Sequence, residues 1–293
     1  MFALRIIAGA AIVASFGASV APATVRPLAV INGRPNGRLI ALPVRVNRSG
    51  TLWFILDSGA RHSVIDTAVA ARLGLRIRST ERGSGVGSGT IEQRHAAPVD
   101  LAVSTLKLQV ADPLVIDLRH TGVRDRYDGL VGFDLFQHAV VRIDPALDTI
   151  AVYDPATYRY RGTGAVVPLT SRSRRLFVTM MLTIAGAVPV THEMRIDTGS
   201  EDAASDDLVR KSPQRRTSLQ GVGLGTPYLD SSGVFQTVQI GPYAIHQVWG
   251  PSNDRPAVGM EILRRFTLTF DVPAGRLYLE PNAHFRDPVP APA

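Results

Sequence analysis

The sequence predicts an all-β protein with few short helices, built from one half that occurs twice. Three observations carry this. First, Phe54-Ile55-Leu56-Asp57-Ser58-Gly59-Ala60 and Met194-Arg195-Ile196-Asp197-Thr198-Gly199-Ser200 are each an apolar run ending in Asp-Ser/Thr-Gly. Such a run sets a carboxylate at the end of a buried strand, and Gly then permits a sharp turn. Second, the landmarks after each turn recur in the same order. Gly83–Gly89 corresponds to Gly221–Gly225, Leu130-Val131-Gly132 to Ala257-Val258-Gly259, and Val140–Asp144 to Thr267–Asp271. The offsets are 197−57 = 140, 221−85 = 136, 259−132 = 127 and 271−144 = 127, as a duplication with shorter loops in the second copy gives. Third, 26 Gly and 20 Pro in 293 residues suit many short strands joined by turns.

Taken in order, Met1–Ala23 reads as a secretory signal peptide. Arg5 gives the positive start, Ile6–Val20 the apolar core, and Ser19-Val20-Ala21 or Ala21-Pro22-Ala23 the small-residue cleavage site. The apolar run is shorter than the ~20 residues a spanning helix needs. The mature protein is therefore expected to be periplasmic or secreted, with no stable membrane insertion after cleavage. Residues 24–38 form a short lead. Leu39–Val46 and Leu52–Leu56 are expected as strands around a turn at Arg48-Ser49-Gly50. Asp66 is placed to cap a short helix, Thr67–Leu73, with Gly74 at its end. Asp206-Asp207 stand at the same place in the second copy.

Arg76–Thr80 and Thr90–Arg94 suggest a β-hairpin around the Gly-rich tip. That tip has neither the Gly-Lys-Ser/Thr ending nor the spacing of a nucleotide loop. Val99–Val103, Leu106–Val110 and Leu114–Asp117 read as further strands, with a short helix at Phe133–Gln137 and a closing strand at Thr149–Tyr153. The junction of the halves falls in Pro155–Arg175. This gives an N-terminal lobe over 24–160, a C-terminal lobe over 161–285 and a disordered Pro/Ala-rich tail over 286–293. The second lobe opens on strands at Leu176–Ala185 and Val188–Ile196.

Composition excludes several chemistries. The chain has no Cys, which rules out disulfides, thiolate metal sites and Cys nucleophiles. Its seven His form no His-x-x-x-His pair, so no metal and no cofactor are expected. The net charge is +7, but the basic residues are dispersed, which argues against nucleic acid as partner. Ser58 lacks the Gly-x-Ser-x-Gly turn of a serine nucleophile. His62 and His192 lie near the two Asp turns and are read as surface or packing residues. Asp66, Asp144, Asp206, Asp207 and Asp271 are read as structural.

At the two Asp-Ser/Thr-Gly turns, the Gly-bearing hairpins and the apolar-apolar-Gly elements, the chain resembles the aspartic proteases of the retropepsin-like and pepsin-like group. The resemblance spans roughly residues 38–281. It implies two homologous closed β-barrel lobes related by a pseudo-two-fold axis, in a single-chain monomer. It also implies catalytic Asp57 and Asp197, supported by Ser58, Gly59, Ala60, Thr198, Gly199 and Ser200. Ser58 and Thr198 would hydrogen-bond across to the opposite loop. Gly85, Val86 and Gly87, with Gly221, Val222 and Gly223, would form substrate-binding flaps. Neither flap tip carries the tyrosine of pepsin-like enzymes, which favours the retropepsin-like variant.

Two carboxylates sharing one proton can hydrolyse a peptide bond without metal or covalent intermediate. The expected activity is an aspartic endopeptidase acting on polypeptide or peptide substrates. The alternative is a catalytically inactive peptide-binding module on the same fold. Ala60 and Ser200 break the symmetry of the pair. A Ser200 hydroxyl donating to Asp197 would make Asp197 the ionised base and Asp57 the protonated acid.

Overall fold

The computed structural model describes residues 26–83, 87–119, 126–220 and 226–290. It is mostly β, with short helices at Thr67–Arg72, Phe133–Phe136 and Met260–Leu263 and one 3₁₀ turn at Asp207–Lys211. Asp66 caps the first helix, accepting from the Ala68 and Val69 amides, and Asp206 caps the 3₁₀ turn through Leu208 N–H. The proposed signal segment lies outside the described residues. No helix among the described residues is long and apolar enough to cross a membrane.

Among the described residues the strands form three open sheets and no closed barrel, in place of the two closed barrels expected. One sheet runs from Ile77–Gly83 through the strands around Asp57 to Leu106–Val110. A second runs from Ala204–Ser205 through the strands around Asp197 to Arg215–Gln220. The reason is visible in the edge strands. Ile77–Gly83 carries Arg78, Glu81 and Arg82, and Arg215–Gln220 carries Arg215 and Arg216, all in largely exposed stretches. A charged, solvated hairpin arm pairs on one side only and needs no closing partner.

The third sheet joins the halves. Its order is Ala29–Asn32, Thr149–Tyr153, Val140–Asp144, Phe266–Asp271, Arg276–Pro281, Ala165–Pro168, antiparallel throughout. Three strands come from each half, and the central pairing sets Val141 against Phe270. Every residue of Phe266–Asp271 is buried, so this seam is part of the core.

The pairing around the two Asp turns is the same. Gly129–Val131 runs parallel to Leu52–Leu56 and antiparallel to Val64–Asp66. Ala257–Val258 runs parallel to Val190–Ile196 and antiparallel to Ala204–Ser205. Residues 286–290, within the expected tail, lie against the body. The fully buried Arg265 guanidinium donates to the carbonyls of Phe285, Asp287 and Pro288, and Val289 packs on the core.

Candidate active site

Each Asp turn is fixed from below by its apolar-apolar-Gly element. Asp57 N–H donates to Val131 O and Asp197 N–H to Val258 O, both at 2.9 Å. The next residues return the favour: Phe133 N–H bonds Ala60 O and Met260 N–H bonds Ser200 O. Gly132 and Gly259 permit this approach. A Cβ on Gly132 would stand 2.6 Å from His62 O, and one on Gly259 2.5 Å from Asp202 O.

The turns are tied to each other by a reciprocal set of buried bonds. Thr198 Oγ1 accepts from Ser58 N–H at 2.9 Å and donates to Leu56 O at 2.8 Å. Ser58 Oγ accepts from Thr198 N–H at 3.1 Å and donates to Ile196 O at 2.9 Å. Thr198→Val would leave Ser58 N–H and Leu56 O buried without partners. Each such group costs about 1–3 kcal/mol, so the expected loss is about 2–6 kcal/mol, with Thr198→Ser close to wild type. Denaturant unfolding measures this; a loss below about 0.5 kcal/mol for Thr198→Val would mean the ties add little.

Gly59 and Gly199 press on the opposite carboxylates. A Cβ on Gly59 would fall 2.5 Å from Asp197 Cγ, and one on Gly199 2.3 Å from Asp57 Cγ. Asp57 Oδ1 accepts from the Gly59 and Ala60 amides at 2.8 and 2.9 Å. Asp197 Oδ1 accepts from Gly199 N–H at 3.1 Å. Burial, then the nearby Asp197 charge, push the Asp57 carboxyl up to about 7, against the pull of Arg195 and the two amides. Burial and the like charge beside it thus favour the protonated form of Asp57 toward neutrality.

The asymmetry does not come from Ser200. Its hydroxyl accepts from Asp202 N–H at 3.2 Å and bonds the Asp202 side chain, and it makes no bond to Asp197 among the described residues. The group that sequence reasoning missed is Arg195, whose Nη2 donates to Asp197 Oδ2 at 2.8 Å. The signal was available: residues i and i+2 of a strand share a face, so Arg195 and Asp197 point the same way. The corresponding residue in the first copy is Ile55, since 195−140 = 55, and it is buried.

Two further arginines tie the halves around the site. Arg174 Nη2 pairs with the buried Asp134 at 2.5 Å, and Arg38 Nε pairs with the buried Glu261 at 2.5 Å. Asp134 and Glu261 hold corresponding positions, and each arginine reaches over from the other half.

Above the turns lies a cleft of about 380 Å³, lined by Asp57, Asp197, Gly59, Ala60, arginines and the first hairpin. That hairpin pairs Ile77–Gly83 with Ile91–Ala96, and its counterpart pairs Arg215–Gln220 with Tyr228–Ile240. The two meet where Ser88 and Thr226 exchange backbone bonds of 2.9 and 3.1 Å. Of the flap residues named from sequence, Gly87 adjoins this contact; Gly85, Val86, Gly221, Val222 and Gly223 lie outside the described residues. His62 lines the cleft, whereas His192 bonds the capping Asp206 instead.

Residues 42–135 match the model of the aspartyl protease family. The match spans Asp57-Ser58-Gly59, the first hairpin and Leu130-Val131-Gly132, and it supports an aspartic protease family and a hydrolase of that type. In a comparison with curated proteins, no match was found.

Proposed function

We propose that the chain is an exported aspartic endopeptidase, working as a single-chain monomer of two related lobes with Asp57 and Asp197 as its catalytic pair. The observation that carries the reading is the crossed contact of Gly59 with Asp197 and Gly199 with Asp57, which brings two carboxylates to one cleft floor. The lobes are taken as 24–160 and 161–285. Export, to periplasm or medium, rests on the signal-like Met1–Ala23.

In this mechanism the charge of the pair sits on Asp197, beside Arg195, and the proton on Asp57. Asp197 takes a proton from the attacking water while Asp57 donates to the carbonyl oxygen of the scissile bond. Asp197 already accepts from Gly199 N–H and Arg195, yet a carboxylate offers about four acceptor sites, so room for water remains. The inactive binding module gains nothing from holding one carboxyl protonated near neutrality, which disfavours it. The test is digestion of an unfolded protein by the purified mature chain, with chelator present, followed by mass spectrometry. Cleavage blocked by a hydroxyl-bearing transition-state analogue is expected. Binding of the unfolded protein without cleavage would favour the module.

A further inference from the structure

We propose that the cleft selects substrates bearing a carboxylate within a few residues of the scissile bond, on an acidic side chain or a free C-terminus, and that Arg175 receives it. This rests on the endopeptidase reading above.

Arg61, Arg175, Arg195 and Arg255 all line the cavity that holds the two aspartates. Arg195 is matched by Asp197. The remaining three are not balanced. Glu81 is the other acid of the lining, and it stands 3.3 Å from His95. Among the described residues the Arg255 side chain pairs only with the exposed Asp254, at 3.7 Å. The Arg61 and Arg175 side chains have no hydrogen-bond or ion-pair partner among the described residues. Arg175 is the innermost of these: it is half-buried, and its Nε is buried without an acceptor, as is that of Arg195. Burial and the charges of Arg195, Arg61 and Arg255 together push Arg175 below the ordinary arginine range, against the weaker pull of Asp197. Arginine does not escape such crowding by losing its proton, so the unpaired charge stands as a cost that an arriving anion removes.

The fold does not require these arginines. In the repeat, Arg175 corresponds to Leu39, as the pairings Arg172↔Arg175 and Asn36↔Leu39 show. Arg195 corresponds to Ile55, Arg255 to Asp128 (255−127 = 128) and Arg61 to Glu201 (61+140 = 201). The other copy makes the same turn and the same strands with apolar or acidic residues there. Four guanidinium groups therefore line the cleft for a reason other than folding. A planar guanidinium binds a carboxylate through two parallel hydrogen bonds, which gives both charge and direction.

The test compares kcat/KM for peptide pairs that differ by Glu or Gln within a few residues of the cleaved bond, each as free acid and as C-terminal amide. Wild type, Arg175→Gln and Arg61→Gln are measured, with a melting curve to verify folding and an unfolded protein as general substrate. The wild type is expected to favour the carboxylate-bearing peptide by at least about tenfold. That preference should shrink as salt rises from about 50 to about 500 mM. Folded Arg175→Gln should lose most of it. Arg61→Gln, whose side chain is exposed, should lose a smaller part of it; if Arg175→Gln does not fold, Arg175→Lys keeps the charge without the two parallel bonds and should still lose several-fold of the preference. A preference for Glu over Gln in amidated peptides assigns the carboxylate to a side chain; a preference for acid over amide assigns it to the C-terminus. Equal rates across all four peptides, with the unfolded protein still digested, would overturn this inference and leave the endopeptidase standing. A full preference retained in folded variants would equally overturn it. No digestion of any substrate would bring down the endopeptidase reading itself.

Discussion

Asp57→Asn is expected to abolish hydrolysis while leaving the fold intact, and Asp197→Asn to do the same to activity. The loss should be at least the ~10²–10⁴-fold that acid–base catalysis contributes. The two variants should part in stability. Asp57 ordinarily titrates near 3.8 and in the folded protein at about 7. Between those values the folded chain holds a proton that the unfolded chain has released, so this group makes stability fall as pH rises through that window. The slope is at most about 1.4 kcal/mol per pH unit. An amide at position 57 cannot ionise and can still accept from the Gly59 and Ala60 amides. Asp57→Asn is therefore expected to be at least as stable as wild type at pH 7. Asp197→Asn removes the negative charge that Arg195 pairs with, leaving a half-buried guanidinium uncompensated in charge, and is expected to be less stable. Turnover near wild type in either purified variant would remove that residue from the chemistry.

Gly199→Ala is the second large effect. The added methyl carbon would stand 2.3 Å from Asp57 Cγ and 2.6 and 2.7 Å from its oxygens. The backbone cannot easily retreat, because Thr198 beside it is bound on both N–H and Oγ1 to the opposite turn. The Asp57 carboxyl must move instead. A displacement of about 1 Å at a reacting group costs on the order of 10²-fold, so kcat/KM should fall at least that far. Gly59→Ala makes the mirror-image intrusion on Asp197, at 2.5 Å, and should act alike. Steady-state kinetics on folded protein checks this; rates within threefold of wild type for both would mean the carboxylates are not held by these contacts.

Much of the fold could be read from local pattern. Leu39–Val46, Leu52–Leu56, Val99–Val103, Leu106–Val110 and Thr149–Tyr153 are strands over the expected residues, because alternation and bounding turns are local signals. Ala29–Asn32 was read as part of a lead. It becomes a strand only by pairing with Thr149–Tyr153, more than a hundred residues away, and nothing local announces that. Sheet closure is likewise a tertiary property, decided by whether the two edge strands of one sheet come to pair with each other. Within the site, the turns themselves were legible because the repeat marks them twice. Arg195 was legible by strand periodicity and passed over because the repeat drew attention to what the copies share. Arg38 and Arg174 were not legible at all: each finds its acid on the other half, and sequence spacing carries no record of that. The Ser200 reading failed because a hydroxyl has several acceptors within reach, and the Asp202 backbone and side chain took it.

The shared proton is the central claim, and a titration tests it without any substrate. In protein carrying ¹³C-labelled aspartate carboxyls, the Asp57 resonance is assigned by its loss in Asp57→Asn. It is expected to titrate at about 7 in wild type. Activity that depends on one proton in the pair should fall through the same range. In Asp197→Asn the Asp57 titration should move down, because the like charge is gone and Arg195 is freed. It should remain above 3.8, because burial, the larger cause, persists. An Asp57 resonance titrating near 3.8 in wild type, or one unmoved by Asp197→Asn, would contradict a carboxylate pair that shares one proton.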